Sequence, residues 1–284
     1  MVGIIDQPIE NSLAWKSCPP IRWLGQRSKI RYLADPFPWP EKKNVILCES
    51  YNFDLQKGAI KRIEIKNDEP VSEEEEPIPL PGHISFPFVF MHEGKIYILP
   101  ETSASRTLLL LQWAPDKKEW KKHAVVLENV GAADSILFKH NGLFWIAYTD
   151  IDIGFHDNLN LLYASSLEGP WSKHVNNPVI KGLEGSRCGG TPFCIGNKIY
   201  RPAQDCSERY GKSLRIMEIV ECSPTAYKEK EAAIILPNDT NNPDGIHTLS
   251  AWGDKCLVDG KRLMFSPKQV LKKIRRRIIK ICAG

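Results

Sequence analysis

The stretch AADSILFKHNGLFWIAYTD, residues 132–150, contains two short apolar runs, a polar turn between them and an acid near its start. The turn is Lys139-His140-Asn141-Gly142, and the second run is rich in aromatic residues. Apolar runs of this length separated by a Gly-containing turn are typical of a β-hairpin. The acid, Asp134, opens a strand that is otherwise suited to burial, and burying an unpaired carboxylate is costly. The rest of the sequence has to explain why a strand suited to burial begins with a carboxylate.

The hairpin pattern recurs five times along the chain and identifies an internal repeat. Each copy has a small or acidic residue, a short apolar strand, a Gly-containing turn and a strand rich in aromatic residues. The five copies are LADPFPWPEKKNVILCES, ISFPFVFMHEGKIYILPE, AADSILFKHNGLFWIAYTD, GGTPFCIGNKIYRPAQD and IHTLSAWGDKCLVDGKR. Their matching positions are Asp35, Pro87, Asp134, Thr191 and His247. The spacing of about 50 residues is typical of four-stranded propeller blades.

Segments between the hairpins supply the outer strands of each blade. The predicted third strands are GAIKRIEIK, RTLLLLQWA, LNLLYASS and LRIMEIVEC, and the predicted fourth strands are EWKKHAVVLE, WSKHVNNPVI and YKEKEAAIIL. The fifth copy ends after its second strand, so we expect VGIID and IRWLG from the N-terminus to complete it and close the ring. The charged, Pro-rich segment 67–82 is interpreted as a surface loop between the first two blades. The sequence thus predicts an all-β, five-bladed β-propeller with four-stranded blades over residues 1–265.

Composition agrees with a single domain in a reducing compartment. All-β domains of 284 residues are common, and 42% hydrophobic residues suffice for a sizeable core. The net charge of +4 gives no indication of a nucleic-acid partner. The 8 cysteines are scattered without metal-ligand spacing, and residues 1–16 lack the apolar run of a secretory signal. We therefore expect free thiols, no metal-binding motif and a cytoplasmic protein without a membrane span.

The last segment, residues 266–284, has a different character. Apolar residues recur there every three or four positions, so a helix would carry them on one face. They are Val270, Leu271, Ile274, Ile278 and Ile281. Much of the remaining helix surface is basic: Lys272, Lys273, Arg275, Arg276, Arg277 and Lys280. Two interpretations stay open, peripheral contact with the anionic inner face of a membrane or packing on the propeller with the charges in water.

The first strand of each propeller blade lines the central channel, so polar residues at strand ends converge on one mouth. They are Asp35, Asp134 and His247 from first strands, and Glu49, Glu101, Asp150 and Asp205 from second strands. Several carboxyl groups in one pocket can deprotonate an attacking hydroxyl, protonate a leaving oxygen or stabilise an oxocarbenium-like transition state. The pattern therefore favours glycosyl chemistry, with Asp35, Asp134 and Glu101 as the candidate catalytic residues.

Each candidate acid also has a structural interpretation. Asp35 precedes a proline and could be a turn residue, and Asp134 could cap a bend. Glu101 has Ser103 close behind it and could cap a loop. His247 could be a structural histidine or could stand beside an ion in the channel.

The candidate substrate-binding residues are Arg187, Arg201, His247, Asp205 and Ser85. Arg187 lies in EGSRCGG, where glycines let a ligand come close and a guanidinium could bind a phosphate or carboxylate. Arg201 and Asp205 could instead pair with each other.

Taken together, these segments are similar to a known superfamily. ADPF and ADSILFKHNGLFWIAYTD resemble segments of the five-bladed propellers of glycoside hydrolase families 43, 32 and 68. That resemblance implies that Asp35 is a catalytic base or nucleophile and that Asp134 orients and tunes it. A closer resemblance, over residues 1–262, is to propellers similar to the N-terminal region of glucosamine inositolphosphorylceramide transferase. It is carried by YLADPFPW, GHISFPFVF, IYILPE, GNKIYRPAQDCSERYG and DGIHTLSAW.

One departure from the hydrolases bears on function. Their general-acid glutamate has no counterpart here, because the matching place is Ser186-Arg187-Cys188. Arg187 there suggests a leaving group that is already anionic, so we expect a glycosyltransferase of surface-polysaccharide or glycolipid synthesis that takes a nucleotide- or lipid-diphosphate-linked sugar. Two alternatives stay open: a family 43-like hydrolase whose acid has moved to Glu101 or Glu184, and a non-catalytic carbohydrate-binding module. No cofactor is expected, and His247 leaves open an ion in the channel.

Overall fold

The repeats form five antiparallel sheets, one for each predicted hairpin and its outer strands. A computed structural model describes residues 1–25, 28 and 30–263. The chain begins with β1 (Val2–Ile5), a 3₁₀ helix (Ile9–Ala14) and β2 (Arg22–Trp23). Blade one then contains β3 (Arg31–Pro38), β4 (Val45–Asn52), β5 (Lys57–Lys66) and β6 (Glu69–Glu75).

The next three blades follow in chain order. Blade two has β7 (Ser85–His92), β8 (Lys95–Glu101), a 3₁₀ helix (Ser103–Ser105), β9 (Thr107–Ala114) and β10 (Glu119–Glu128). Blade three has β11 (Ala132–His140), β12 (Leu143–Asp150), β13 (Asn158–Ala164), β14 (Ser172–Lys173) and β15 (Ile180–Lys181). Blade four has β16 (Glu184–Cys188), β17 (Phe193–Ile195), β18 (Lys198–Asp205), β19 (Ser213–Cys222) and β20 (Tyr227–Ile235).

Blade five joins the two ends of the described chain. It contains β21 (Leu249–Trp252) and β22 (Lys255–Asp259), and its sheet order is β2-β1-β22-β21. Val2 pairs with Asp259 and Ile5 with Cys256 across the β1–β22 ladder. The prediction of a five-bladed propeller closed by N-terminal strands is therefore confirmed.

Glycine lets blade four come close to blade five. Gly190 has a φ of 139°, and a Cβ there would lie 1.8 Å from the Leu249 carbonyl oxygen. The two residues form a parallel bridge, which a side chain at Gly190 would prevent.

Two details differ from the predicted strands. Segment 67–82 is not wholly a loop, because Glu69–Glu75 forms β6, whose glutamates pair with Arg31 and Lys61. Glu76, which follows β6, pairs with Arg62. In blades three and four, one strand is divided into two short strands. In blade three, β14 and β15 both pair with β13, and in blade four, β16 and β17 both pair with β18.

The apolar core lies between neighbouring blades. Phe37 of blade one packs edge-on against Phe86 and Phe88 of blade two, with ring centroids 5.0 and 5.6 Å apart. Burying a phenylalanine side chain contributes about 1.5–3 kcal/mol, so contacts of this kind hold the ring of blades together.

A bulge interrupts the innermost strands of the first three blades at the same place. The pairing shifts between Ala34 and Phe37, between Ser85 and Phe88, and between Ala133 and Ile136. The residue after each small residue has a left-handed backbone, with φ of 51° at Asp35, 42° at Phe86 and 46° at Asp134. The bulge therefore aligns Phe86, rather than the expected Pro87, with the two aspartates. A bulge re-aims side chains, and here it fixes the direction of both acids.

The predicted basic helix over 266–284 lies outside the described residues. Within the part of the chain that the structure describes, no helix has the length and apolar character required to span a bilayer.

Candidate active site

A buried ion pair between blades three and four forms one half of the site. Arg187 Nε donates to Asp134 Oδ2 at 2.5 Å, and Gln204 Nε2 donates to the same oxygen at 2.5 Å. The Arg187 Nη1 group donates to the Phe155 carbonyl at 2.5 Å and contacts His156 Nδ1 at 3.3 Å. Both charged side chains are nearly enclosed, with exposed fractions of 9% and 4% for Arg187 and Asp134.

Blade two adds Glu101 to this ion pair. Its Oε2 accepts from the Asp134 backbone N–H at 3.1 Å and lies 3.6 Å from Arg187 Nη2. Ser103 Oγ donates to Glu101 Oε1 at 2.9 Å. Because Nε and Nη1 are already engaged, the Nη2 edge of Arg187 is the part of the guanidinium with donors to offer a ligand.

The other half of the site joins blade five to blade one. Asp259 Oδ2 accepts from the Asp35 backbone N–H at 3.1 Å and lies 2.6 Å from His247 Nδ1. Asp259 Oδ1 accepts from the backbone N–H groups of His247 and Thr248 at 3.0 Å each. The carboxyl of Asp35 accepts from Thr248 Oγ1 at 2.7 Å, and its Oδ1 lies 3.6 Å from His247 Nδ1.

Tyr210 connects the two halves. Its ring lies 5.2 Å from the His247 ring and 4.8 Å from the His156 ring, and the Arg187 guanidinium lies 5.3 Å from its centroid. Lys261 Nζ sits 5.3 Å from the same ring. The acids of the first and third repeats thus belong to one continuous cluster.

Burial raises the pKa of three carboxyl groups in the cluster. Burial raises the pKa of Asp35 to about 7, although the charge of His247 acts in the opposite direction. Burial and the charge of Asp134 raise the pKa of Glu101 to about 8. Burial, together with the charges of Asp35 and Glu101, holds the pKa of Glu49 well above its ordinary value. At neutral pH, Glu101 is therefore mostly protonated, and Asp35 is close to half ionised.

Two other acids remain ionised because each has a cationic partner. Burial opposes the charge of Asp134, but the charge and hydrogen bond of Arg187 outweigh it and lower its pKa. Burial likewise opposes the charge of Asp259, but His247 lowers its pKa to about 2. The reciprocal effect of Asp259 outweighs burial and raises the pKa of His247 to about 9. Two fixed ion pairs thus flank carboxyls that can exchange protons near neutral pH.

The structure brings most of the predicted residues together. Asp35, Asp134, Glu101, Arg187 and His247 all belong to the cluster, and Ser85 is buried opposite Glu101 in the β7–β8 pairing.

Arg201 is not brought to the mouth. Every guanidinium N–H of Arg201 is engaged inside blade four, by Glu229, the carbonyls of Gly185 and Ser186, and Cys188 Sγ. Arg201 has no donor left for a substrate, because Glu229 of β20 and the bulged backbone of β16 take all of them.

Asp205 is also outside the cluster. It pairs with Arg215 at 2.9 Å and accepts from Ser207, while its neighbour Gln204 reaches Asp134. Successive strand residues face opposite sides of a sheet, so the prediction at Asp205 is displaced by one residue. The same holds in blade three, where Thr149 stands opposite Ala133 and Asp150 faces away.

Asp259 and Tyr210 are functional candidates that sequence reasoning missed. Asp259 ends β22, the second strand of the fifth hairpin, so the rule that selected Glu101 would have found it. Tyr210 lies between β18 and β19, and no repeat position marks it.

A cation beside His247 stays a prediction. Asp35, His247 and Asp259 each place a ligand atom within 4.8 Å of the others. The 2.6 Å contact between His247 and Asp259 is that of a proton-bridged pair, and ligands of one metal stand farther apart. A cation would therefore have to displace the proton on His247 Nδ1.

Comparison with known proteins identifies the family. The family model described as "Glucosamine inositolphosphorylceramide transferase 1, N-terminal" matches residues 7–249. The chain belongs to this family. Glucosamine inositolphosphorylceramide transferase 1 of Arabidopsis thaliana is 36% identical over 197 residues, covering 64% of this chain and 26% of the relative. The protein of the same name from Oryza sativa subsp. indica is 34% identical over 152 residues, covering 52% and 20%. This chain therefore spans about a quarter of the length of these relatives.

By fold, the chain is similar to solved structures of glycoside hydrolases. Zg3597, a family 117 glycoside hydrolase of Zobellia galactanivorans, matches with a TM-score of 0.55 at 12% identity, over 89% of this chain and 96% of its own. The catalytic domain of a family 62 α-L-arabinofuranosidase from Coprinopsis cinerea matches with a TM-score of 0.57 at 10% identity, over 80% and 79%. At these identities the likeness shows the fold alone.

The His247–Asp259 pair predicts an alkaline titration. In the NMR spectrum of the wild type, the His247 ring should titrate near pH 9, and Asp259→Asn should lower that value by more than about one unit. Because the folded pKa is raised, the stabilisation from His247 is complete below its ordinary value of 6.5 and is lost as the pH rises through about 9. Asp205→Asn is the matched control and should leave the titration unchanged. Titration near 6.5 in the wild type would contradict the ion pair.

Proposed function

We propose that the channel mouth transfers a sugar from a phosphate-activated donor to an acceptor hydroxyl. Family membership supports a carbohydrate-related function, and the relatives are named as transferases. The observation that carries the finer proposal is that a half-ionised Asp35 and the Nη2 edge of Arg187 belong to one cluster, joined through His247 and Tyr210. The first group can accept a proton, and the second can bind an anion.

Asp35 is the proposed base. Its carboxyl has no arginine or lysine partner among the described residues, and its pKa of about 7 suits proton transfer at neutral pH. Thr248 holds one carboxyl oxygen, so the group has a fixed orientation. Asp35 would take the proton of the acceptor hydroxyl as that oxygen attacks the anomeric carbon.

Arg187 and Glu101 are the proposed site for the leaving phosphate. The Nη2 donors of Arg187 face Glu101 Oε2 at 3.6 Å, and Glu101 is mostly protonated at neutral pH. A neutral carboxyl next to a guanidinium offers donors to phosphate oxygens without repelling them. The phosphate would leave as an anion with the bonding electron pair, so the reaction needs no proton at that oxygen.

Asp134 is the proposed positioning residue. Its ion pair and the hydrogen bond from Gln204 prevent it from acting as the titrating base. It holds the guanidinium in place, and its backbone N–H orients Glu101.

Hydrolysis is the second candidate, and one observation favours it. The protonated Glu101 could supply the proton that a poor leaving group needs, in place of the glutamate absent at Arg187. Glu184 does not fit this role, because it is an exposed residue whose partner is Arg215.

The acceptor and the cellular location stay proposals. The relatives' name suggests a glucosamine donor and a glycolipid acceptor, but this chain covers only about a quarter of their length. Peripheral contact with the inner face of a membrane through the basic segment 266–284 stays a prediction.

Asp35→Asn should lower donor turnover about 100-fold or more, because it removes the base without changing side-chain size. The assay measures release of nucleoside diphosphate from a panel of UDP- and GDP-sugars, glucosamine derivatives included, with methyl glycosides as acceptors. Asp150→Asn is the matched control, since Asp150 faces away from the cluster, and it should retain full turnover. Unchanged turnover in Asp35→Asn would overturn the proposal, and binding without turnover in the wild type would make the chain a binding module.

The pH dependence of kcat/KM should be bell-shaped. The rate should rise as Asp35 loses its proton near pH 7 and fall as Glu101 ionises near pH 8. Glu101→Gln should remove the alkaline limb and keep activity on nucleotide sugars within about tenfold, because the amide still donates to phosphate. A loss of about 100-fold, together with release from alkyl glycosides by the wild type, would favour hydrolysis instead.

A further inference from the structure

Blade one carries an aromatic surface beside the acids. Tyr32 and Tyr51 stack at 5.2 Å with 14° between their planes, and Phe53 meets both rings edge-on at 5.5 and 5.8 Å. The His83 ring lies 6.0 Å from Tyr51. Tyr32 remains 39% exposed, so an aromatic ring is open to solvent. We call Tyr32, Tyr51, Phe53 and His83 the blade-one aromatic surface.

This surface adjoins the channel mouth. Tyr32 precedes Asp35 by three residues on β3, Tyr51 follows Glu49 by two on β4, and Tyr32 pairs directly with Tyr51. Burial raises the pKa of the Tyr32 hydroxyl, and the charges of Glu49 and Asp35 add to that effect. That hydroxyl therefore lies within electrostatic reach of the acids.

A buried carboxyl oxygen beside this surface has no hydrogen-bond partner. Glu49 is 5% exposed, and its Oε1 accepts no hydrogen bond within the described part of the chain. His83 Nε2 lies 3.8 Å from this oxygen, which is too long for a hydrogen bond. An unsatisfied buried oxygen of this kind costs about 1–3 kcal/mol, so it marks a place where a ligand group would be stabilised.

The histidine is oriented towards that oxygen. The Gly58 backbone N–H donates to His83 Nδ1 at 2.8 Å, so the neutral ring carries its proton on Nε2. The pKa of His83 is lowered by burial, which keeps the ring neutral. Gly58 makes the arrangement sterically feasible, because a Cβ there would lie 2.4 Å from Glu49 Oε1 and 2.7 Å from His83 Cε1.

We propose that the blade-one aromatic surface binds a neutral pyranose ring, stacked on Tyr32 with one hydroxyl between His83 Nε2 and Glu49 Oε1. That hydroxyl would accept from the imidazole and satisfy the free carboxyl oxygen. A sugar ring has an apolar face bordered by hydroxyl groups, which matches an aromatic face with a few fixed polar groups beside it. The neighbouring acids disfavour an anionic ligand. The inference rests on the proposed function, and it identifies the bound sugar as the acceptor, held with another hydroxyl towards Asp35.

Binding of methyl glycosides tests this subsite without turnover. The probes are the methyl pyranosides of glucose, galactose, mannose and N-acetylglucosamine, titrated to about 100 mM and followed by saturation-transfer NMR. Tyr32→Ala should weaken the binding of the best probe at least tenfold. Tyr32→Trp should restore it, because stacking needs an aromatic face and not the hydroxyl. Leu55→Ala is the control, since Leu55 is 73% exposed in the β4–β5 turn that also contains Phe53. This variant should bind the probes like wild type.

The outcomes separate this subsite from the catalytic proposal. Asp35→Asn should lose turnover but weaken the binding of the best probe by less than about tenfold, because asparagine keeps the side-chain size and an acceptor oxygen for the sugar hydroxyl and leaves the stacking surface intact. Equal binding by Tyr32→Ala and wild type, or no probe binding to wild type, would overturn the subsite. Full turnover in Asp35→Asn with loss of binding in Tyr32→Ala would overturn the catalytic proposal alone.

Discussion

The buried pair of Asp134 and Arg187 is the interaction on which the candidate site depends. A guanidinium removed from water is costly unless its donors are satisfied, and here Asp134, the Phe155 carbonyl and His156 provide that satisfaction. The pair joins blades three and four, and the backbone of Asp134 also holds Glu101 of blade two. Three blades thus meet at one charge pair, which fixes both the position and the ionisation of the groups around it. Because Asp134 is committed to Arg187, the proton exchange near neutral pH falls to Asp35 and Glu101.

The bulges of the inner strands show how repetition supports this arrangement. The left-handed backbone at Asp35 and Asp134 is repeated at Phe86, where the side chain packs against Phe37 of the core. The strained conformation is therefore a property of the blade and is not confined to the acids. Blade two uses the position for packing, while blades one and three use it to direct carboxyls into the channel. Function here arises from a change of side chain at a position that the repeat already provides.

Much of the fold was predictable because its signals are local. Hairpins, turns and the missing outer strands of the fifth repeat are visible in the chain, and they led to the closure by β1 and β2. The strand β6 was missed because a run of glutamates has low strand propensity. Two of its glutamates pair with Arg31 and Lys61 of blade one, and the sequence does not show that pairing. Asp35, Asp134, Glu101 and His247 were predictable from their place in the repeat, since strand ends of a propeller share one mouth. The hydrogen-bond partners of individual side chains were not predictable. A shift of one residue along β18 decides whether Gln204 or Asp205 faces the site, and Arg201 finds its partner Glu229 on β20, two strands away in the sheet.

We expect sugar and phosphate to meet between the first, second and fourth blades, and a crystal structure with a bound nucleotide sugar would show whether they do. The diphosphate should contact the Nη2 edge of Arg187 and the Glu101 carboxyl, with the anomeric carbon facing Asp35. Density for the nucleotide sugar on the outer faces of the blades, with the cluster of Asp35, Asp134 and Arg187 untouched, would rule out this site.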